Sequence, residues 1–156
     1  MNIISIDPAV SKKIAYAVFL EDRLRFYDLV DEVIDVKDVL ASGLDLEIVV
    51  TEDMYNGPDF NVVKRLCYTV GEIRILAHMY GLECRLIPPW AWKKHHGILI
   101  KKPAAREAHK AAKAFEDKVQ FEIIKQYTGK EIQDEDLRAA VLIGMCYIEK
   151  ARMGAV

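Results

Sequence analysis

"NIISID", residues 2–7, decides how the rest of the chain is read. Three isoleucines make a strand suited to a core, and the run stops on a carboxylate, Asp7, with Pro8 behind it. A charge at the tip of an apolar strand is costly unless something there uses it. Two further strand patterns follow, "KIAYAVFL" (13–20) and "RLRFYDLV" (23–30), separated by Glu21-Asp22, a spacing short enough for a hairpin. After a helix-like segment, "DVKDVLASG", that stops at Gly43 comes "LEIVVTED" (46–53). Its β-branched centre, Ile48 to Val50, suits a strand covered on both faces, and it too ends in acids, Glu52 and Asp53.

The second half alternates differently. Asp59 is an N-cap candidate for a helix to about Tyr80, with apolar residues at 62, 63, 66, 70, 73, 77 and 80 in helical spacing and Gly71 inside it. "LECRLI" (82–87) is a fifth strand, ended by Pro88-Pro89. Residues 104–127, rich in Ala, Lys and Glu, and residues 134–152 form the last helices. Three meandering strands followed by α/β alternation predict an α/β fold, one mixed sheet with helices on its faces. At 156 residues and 52% hydrophobic, the chain has the size of one domain over 1–156. The longest apolar run, "AAVLIGMCYI" (139–148), is too short for a bilayer, and no signal pattern opens the sequence. Cys67, Cys84 and Cys146 lack metal-ligand spacing and read as buried thiols in a reducing cytoplasm.

The charge is unevenly spread. The chain carries −2 overall, yet residues 85–130 hold eleven Lys/Arg against four Asp/Glu. One basic segment on an acidic remainder suits a polyanion met by one face. Within it, "PPWAWKKHHGILIKKPAAREAHKAAK" offers Lys93, Lys94, Lys101, Lys102 and Arg106 as phosphate contacts, with Lys110 and Lys113 beyond. His95 and His96 add contacts as pH falls. Trp90 and Trp92 are both candidates for stacking on a base, against the reading in which at least one packs under the Pro-Pro turn.

A third set of acids, Asp134, Glu135 and Asp136 in "DEDLRAA", opens the last helix. If the first and fourth strands are neighbours, Asp7 and Glu52 meet at one sheet edge. Converging carboxylates repel one another and hold protons or hard cations. Oxygen donors alone suit Mg²⁺ or Mn²⁺, and two such ions promote phosphodiester hydrolysis. The same acids also serve as ordinary helix caps and turn formers.

"IISIDPAVSKKIAYAVFL", the stretch from "IVVTED" to "WAWKK", and "DEDLRAAVLIGMCYI" together resemble the RuvC family of Holliday-junction resolvases, most of all its small phage-encoded members. The resemblance implies a ribonuclease H-like fold, a five-stranded mixed sheet flanked by helices, and a two-metal endonuclease that resolves branched DNA as a homodimer. It implies Mg²⁺, two per site with Mn²⁺ substituting, and no obligatory helicase partner. On it, Asp7 and Glu52 match the family's first two acids. The third motif, two acids three residues apart, falls on Glu135 and Arg138, and an arginine cannot ligate a cation. Asp136, with Asp134 as substitute, is expected to fill the gap, so that catalysis falls to Asp7, Glu52, Glu135 and Asp136. Tyr55, or Phe60, lies in the loop expected near the branch point. Two rival readings share these residues: a junction-binding module with weak or no catalysis, and a ribonuclease H-like enzyme on RNA–DNA hybrids.

Overall fold

The computed structural model describes residues 1–8, 13–53, 59–98 and 106–155, with the side chain of Arg106 left out. Five strands form one sheet in the order β3-β2-β1-β4-β5: β1 (Ile3–Asp7), β2 (Ile14–Leu20), β3 (Arg23–Val30), β4 (Ile48–Glu52) and β5 (Glu83–Ile87). The first three pair antiparallel, and β1–β4 and β4–β5 pair parallel. The β2–β3 hairpin turns on Glu21 and Asp22, both at positive φ (52° and 64°), the geometry that matches strand twist in a two-residue loop. Asp22 is anchored there by the Arg152 guanidinium at 2.7 Å.

The expected helix after β3 is a 3₁₀ turn (Val33–Val36) running into one short α turn, α1 (Lys37–Leu40). Helix α2 (Phe60–Met79) starts where its cap was expected, Asp59 accepting from the backbone N–H groups of Asn61 and Val62. Only Val70, Ile73, Leu76 and Ala77 of its apolar residues are buried. Twenty helical residues are about 30 Å long, whereas the five-residue strands beneath span about 17 Å. The first half of α2 therefore outruns the core, and Cys67, expected buried, is exposed; Cys84 is half-buried and Cys146 buried.

A seven-residue helix that the sequence reading missed, α3 (Pro89–His95), follows β5 directly. The prolines do not stop structure there. Pro89 sits at the first helical position, where its missing N–H costs nothing. Helices α4 (Arg106–Thr128) and α5 (Glu135–Arg152) complete the chain. α5 carries an unbroken buried run from Ala140 to Ile148 and lies against β1, β2 and β4. It lies close because Gly144 has no side chain: a Cβ there would stand 2.7 Å from Ser5 Oγ and clash with the edge of the Phe19 ring. Ser5 Oγ donates to the main-chain carbonyl of Ala140 at 2.7 Å, which fixes α5 on the strand that ends in Asp7. Among the described residues no helix is long and apolar enough to cross a membrane.

Candidate active site

Ile6 pairs with Thr51 across the parallel β1–β4 ladder, so Asp7 and Glu52 follow side by side at the ends of adjacent strands. Alternation along each strand sends both to the face that also carries Ser5 and Val50, the face under α5. The first turn of α5 adds Glu135 and Asp136, and all four acids line one cleft of about 360 Å³. Asp134 is spent differently. It is the N-cap of α5, its Oδ1 accepting from the N–H groups of Asp136 and Leu137 at 2.9 Å each, and it is not among the residues lining the cleft.

Burial, then the charges of Glu52 and Asp136, push the Asp7 carboxyl well above the usual range; Lys93 opposes them, and Asp134 adds a smaller push. Glu52 is raised too, by burial, against the pull of an indole hydrogen bond and of Lys93. That hydrogen bond comes from Trp92, whose Nε1 donates to Glu52 Oε2 at 2.7 Å. Trp92 is 2% exposed, so at least one indole is packed as expected, and Trp90 is 59% exposed.

Lys93, expected only as a phosphate contact, lies inside the cleft. Its Nζ is 3.0 Å from Glu116 Oε1 and 5.3 Å from the centre of the Trp92 ring. Lys94 is exposed, as a backbone-phosphate contact requires. His95 and His96 serve the fold: His95 Nε2 is 2.6 Å from Glu149 Oε2, and His96 Nε2 is 2.8 Å from the Leu142 carbonyl. Burial also lowers the His96 pKa, which opposes its charging for DNA contact. Phe60 is exposed at the head of α2. Tyr55, Lys101, Lys102 and the Arg106 side chain lie outside the described residues.

The sequence reading missed the far wall of the cleft, which α4 supplies through His109, Lys113, Glu116 and Gln120. Their spacing of four, three and four is one stripe of a helix, a signal present in the sequence but submerged in a segment dense with lysine. Arg138, at the register where the resemblance expects the last acid, is 6% exposed and engages this wall. It donates to the carbonyls of Gln133 (2.5 Å) and Ile132 (3.4 Å), to Gln120 Oε1 (3.4 Å) and to Asp117 Oδ1 (3.2 Å).

As they stand, no three His, Cys, Asp or Glu side chains among the described residues are arranged around a common metal position. The chemistry of the donors nevertheless fits a hard divalent cation. They are all carboxylates, the charges of Glu52 and Asp136 raise the affinity of Asp7 for positive charge, and strand ends and a helix start carry them.

No family model matches the chain, and no curated protein does. Solved structures do. The chain superposes on Thermus thermophilus RuvC in complex with a Holliday junction substrate with a TM-score of 0.73 at 17% identity, covering 99% of this chain and 97% of that one. A second Thermus thermophilus RuvC structure gives 0.71 at 17% identity, covering 99% and 98%. The fold is thus the ribonuclease H-like fold as found in RuvC, with its five-stranded sheet and flanking helices.

Proposed function

We propose that the chain is one nuclease domain over 1–156, a divalent-metal-dependent endonuclease that cuts four-way junctions and other branched DNA. The single observation that carries this reading is the meeting of Asp7, Glu52, Glu135 and Asp136 in one cleft of a RuvC-like fold. These four residues would hold two Mg²⁺ ions, with Mn²⁺ able to substitute. When bound, the ions supply a lowered pKa for an attacking water and charge stabilisation for the departing 3′ oxygen. Asp7 and Glu52, mounted on adjacent strand ends, fix the spacing of the site. Trp92 keeps Glu52 oriented and shields it on one side. Lys94, with Lys101, Lys102 and Arg106, positions the DNA backbone without reading sequence, and Tyr55 sits near the branch point.

The substrate has approximate two-fold symmetry and needs two matched cuts, which a two-fold dimer provides. Helix α2 supports that arrangement: Phe60, Tyr68, Ile75 and Met79 stand exposed along it. Sedimentation at micromolar concentration distinguishes the dimer from a monomer. The phage-encoded branch, which the motifs resemble, is expected to work without a helicase partner.

The test is Asp7→Asn assayed on a labelled four-way junction in Mg²⁺. The variant should bind the junction as wild type does and leave it uncut; full cutting would remove Asp7 from the mechanism. One observation favours a second reading, a junction-binding module without efficient catalysis: Arg138 is committed to α4 where an acid is expected. Wild-type binding with no cleavage across a titration of Mg²⁺ and Mn²⁺ would select that reading.

A further inference from the structure

The four acids of the proposed site come from β1, β4 and α5, and α4 brings a fifth to the same cleft. Glu116 is 8% exposed, an unusual position for a glutamate on a helix whose neighbouring charges face water. Its placement has a visible cause. Arg138 clamps Asp117 and Gln120 from α5, which fixes how α4 is turned at this level. Glu116 precedes Asp117, about 100° around the helix, and both line the cleft. Lys113, one turn earlier, reinforces the same register through its ion pair with Glu135 at 3.2 Å. Two independent contacts from the first turns of α5 thus present Glu116 to the carboxylates.

The charges that meet there are out of balance. Among the described residues, Asp7, Glu52, Glu116, Asp117, Glu135 and Asp136 line the cleft beside Lys93, Lys113 and His109, and Asp117 is paired with Arg138. Lys93 reaches Glu116 with its ammonium and also bears on Asp7 and Glu52. One flexible ammonium on a four-carbon stem therefore holds the place where Glu116 and the strand-end acids share positive charge.

We propose that Glu116 is a further metal-ligating carboxylate of this site, paired with Lys93 while no cation is present and turned to the cation when one enters. The inference rests on the nuclease reading and extends it to an element the strand-end acids do not involve. A divalent cation beside Asp7 and Glu52 repels the Lys93 ammonium, and the released Glu116 supplies an oxygen that Arg138, one turn along α5 from Glu135, cannot.

The test is Mn²⁺ binding to the purified protein without DNA, followed by calorimetry and by the loss of the free-ion paramagnetic resonance signal. Glu116→Gln should weaken at least one Mn²⁺ site tenfold or more. Lys93→Met removes the same ion pair but no oxygen, and should bind Mn²⁺ at least as tightly as wild type. Unchanged Mn²⁺ affinity in Glu116→Gln overturns the proposal, as does an equal loss in Lys93→Met, which would mean that the ion pair alone matters. Asp7→Asn separates the two levels. If it weakens Mn²⁺ binding and Glu116→Gln does not, only the role of Glu116 fails. If wild type binds no Mn²⁺, the metal-dependent reading fails with it. Thermal melts confirm that each variant is folded.

Discussion

At the scale of single residues, Asp7 answers the question its strand poses. Its carboxyl is raised by burial and by the acids around it, so the folded, ion-free chain holds that proton more tightly than the unfolded chain does. The sign of the consequence follows. Above the ordinary carboxylate pKa of about 4, the folded state binds more protons than the unfolded state, so stability falls as pH rises toward the raised value. Asp7→Asn cannot titrate. Without metal, its melting temperature relative to wild type should therefore climb as pH is taken from about 4 to 8, and Mg²⁺ should recover the wild-type loss at the upper end. Melts across that range that keep a constant difference between the two proteins would show that Asp7 is not under this strain. Asp7 and Glu52 were legible in the sequence because acids closing apolar strands stand out. The indole of Trp92 on Glu52 was not, because a hydrogen bond across 40 residues leaves no local pattern.

Secondary-structure elements show where pattern reading succeeds and where it stops. The β2–β3 hairpin and the Asp59 cap of α2 were readable because turn and cap chemistry is local. α3 was not, because Pro88-Pro89 signals a stop and a start equally well. The α4 stripe at 109, 113, 116 and 120 was obscured by its lysines, and it becomes a wall only when Arg138 turns it inward. A close junction between elements is at Gly144, where α5 rests on Ser5 and Phe19. Gly144→Ala should lower stability in urea by about 1–3 kcal/mol, the ordinary cost of overpacking, despite alanine's better helix propensity. A variant as stable as wild type would mean that α5 shifts outward freely. Cleavage should then fall, since α5 carries Glu135 and Asp136 away from Asp7 and Glu52 as it moves.

For the whole molecule, composition predicted a one-faced polyanion binder, and the fold explains why the overall charge of −2 does not forbid one. The described parts of the basic stretch include α3 and α4, which border the acidic cleft. The salt response follows from that layout. Each phosphate contact contributes a slope of about −0.9 to the dependence of log affinity on log salt. Lys94→Ala, at an exposed position, should weaken junction binding uniformly across sequences and flatten that slope by about one. A variant with the wild-type slope would place Lys94 off the DNA. Cysteine 67 shows the limit at this scale. Its neighbours are apolar, but the sequence does not reveal that α2 is longer than the sheet that would cover it.

Crystals soaked in Mn²⁺ and measured at the manganese absorption edge test the central claim most directly. Two anomalous peaks should stand in the cleft within about 2.0–2.3 Å of carboxylate oxygens, with Asp7 and Glu52 among the ligands and α5 contributing the others. A fully soaked crystal with no manganese between Asp7 and Glu52 would contradict the account at its root.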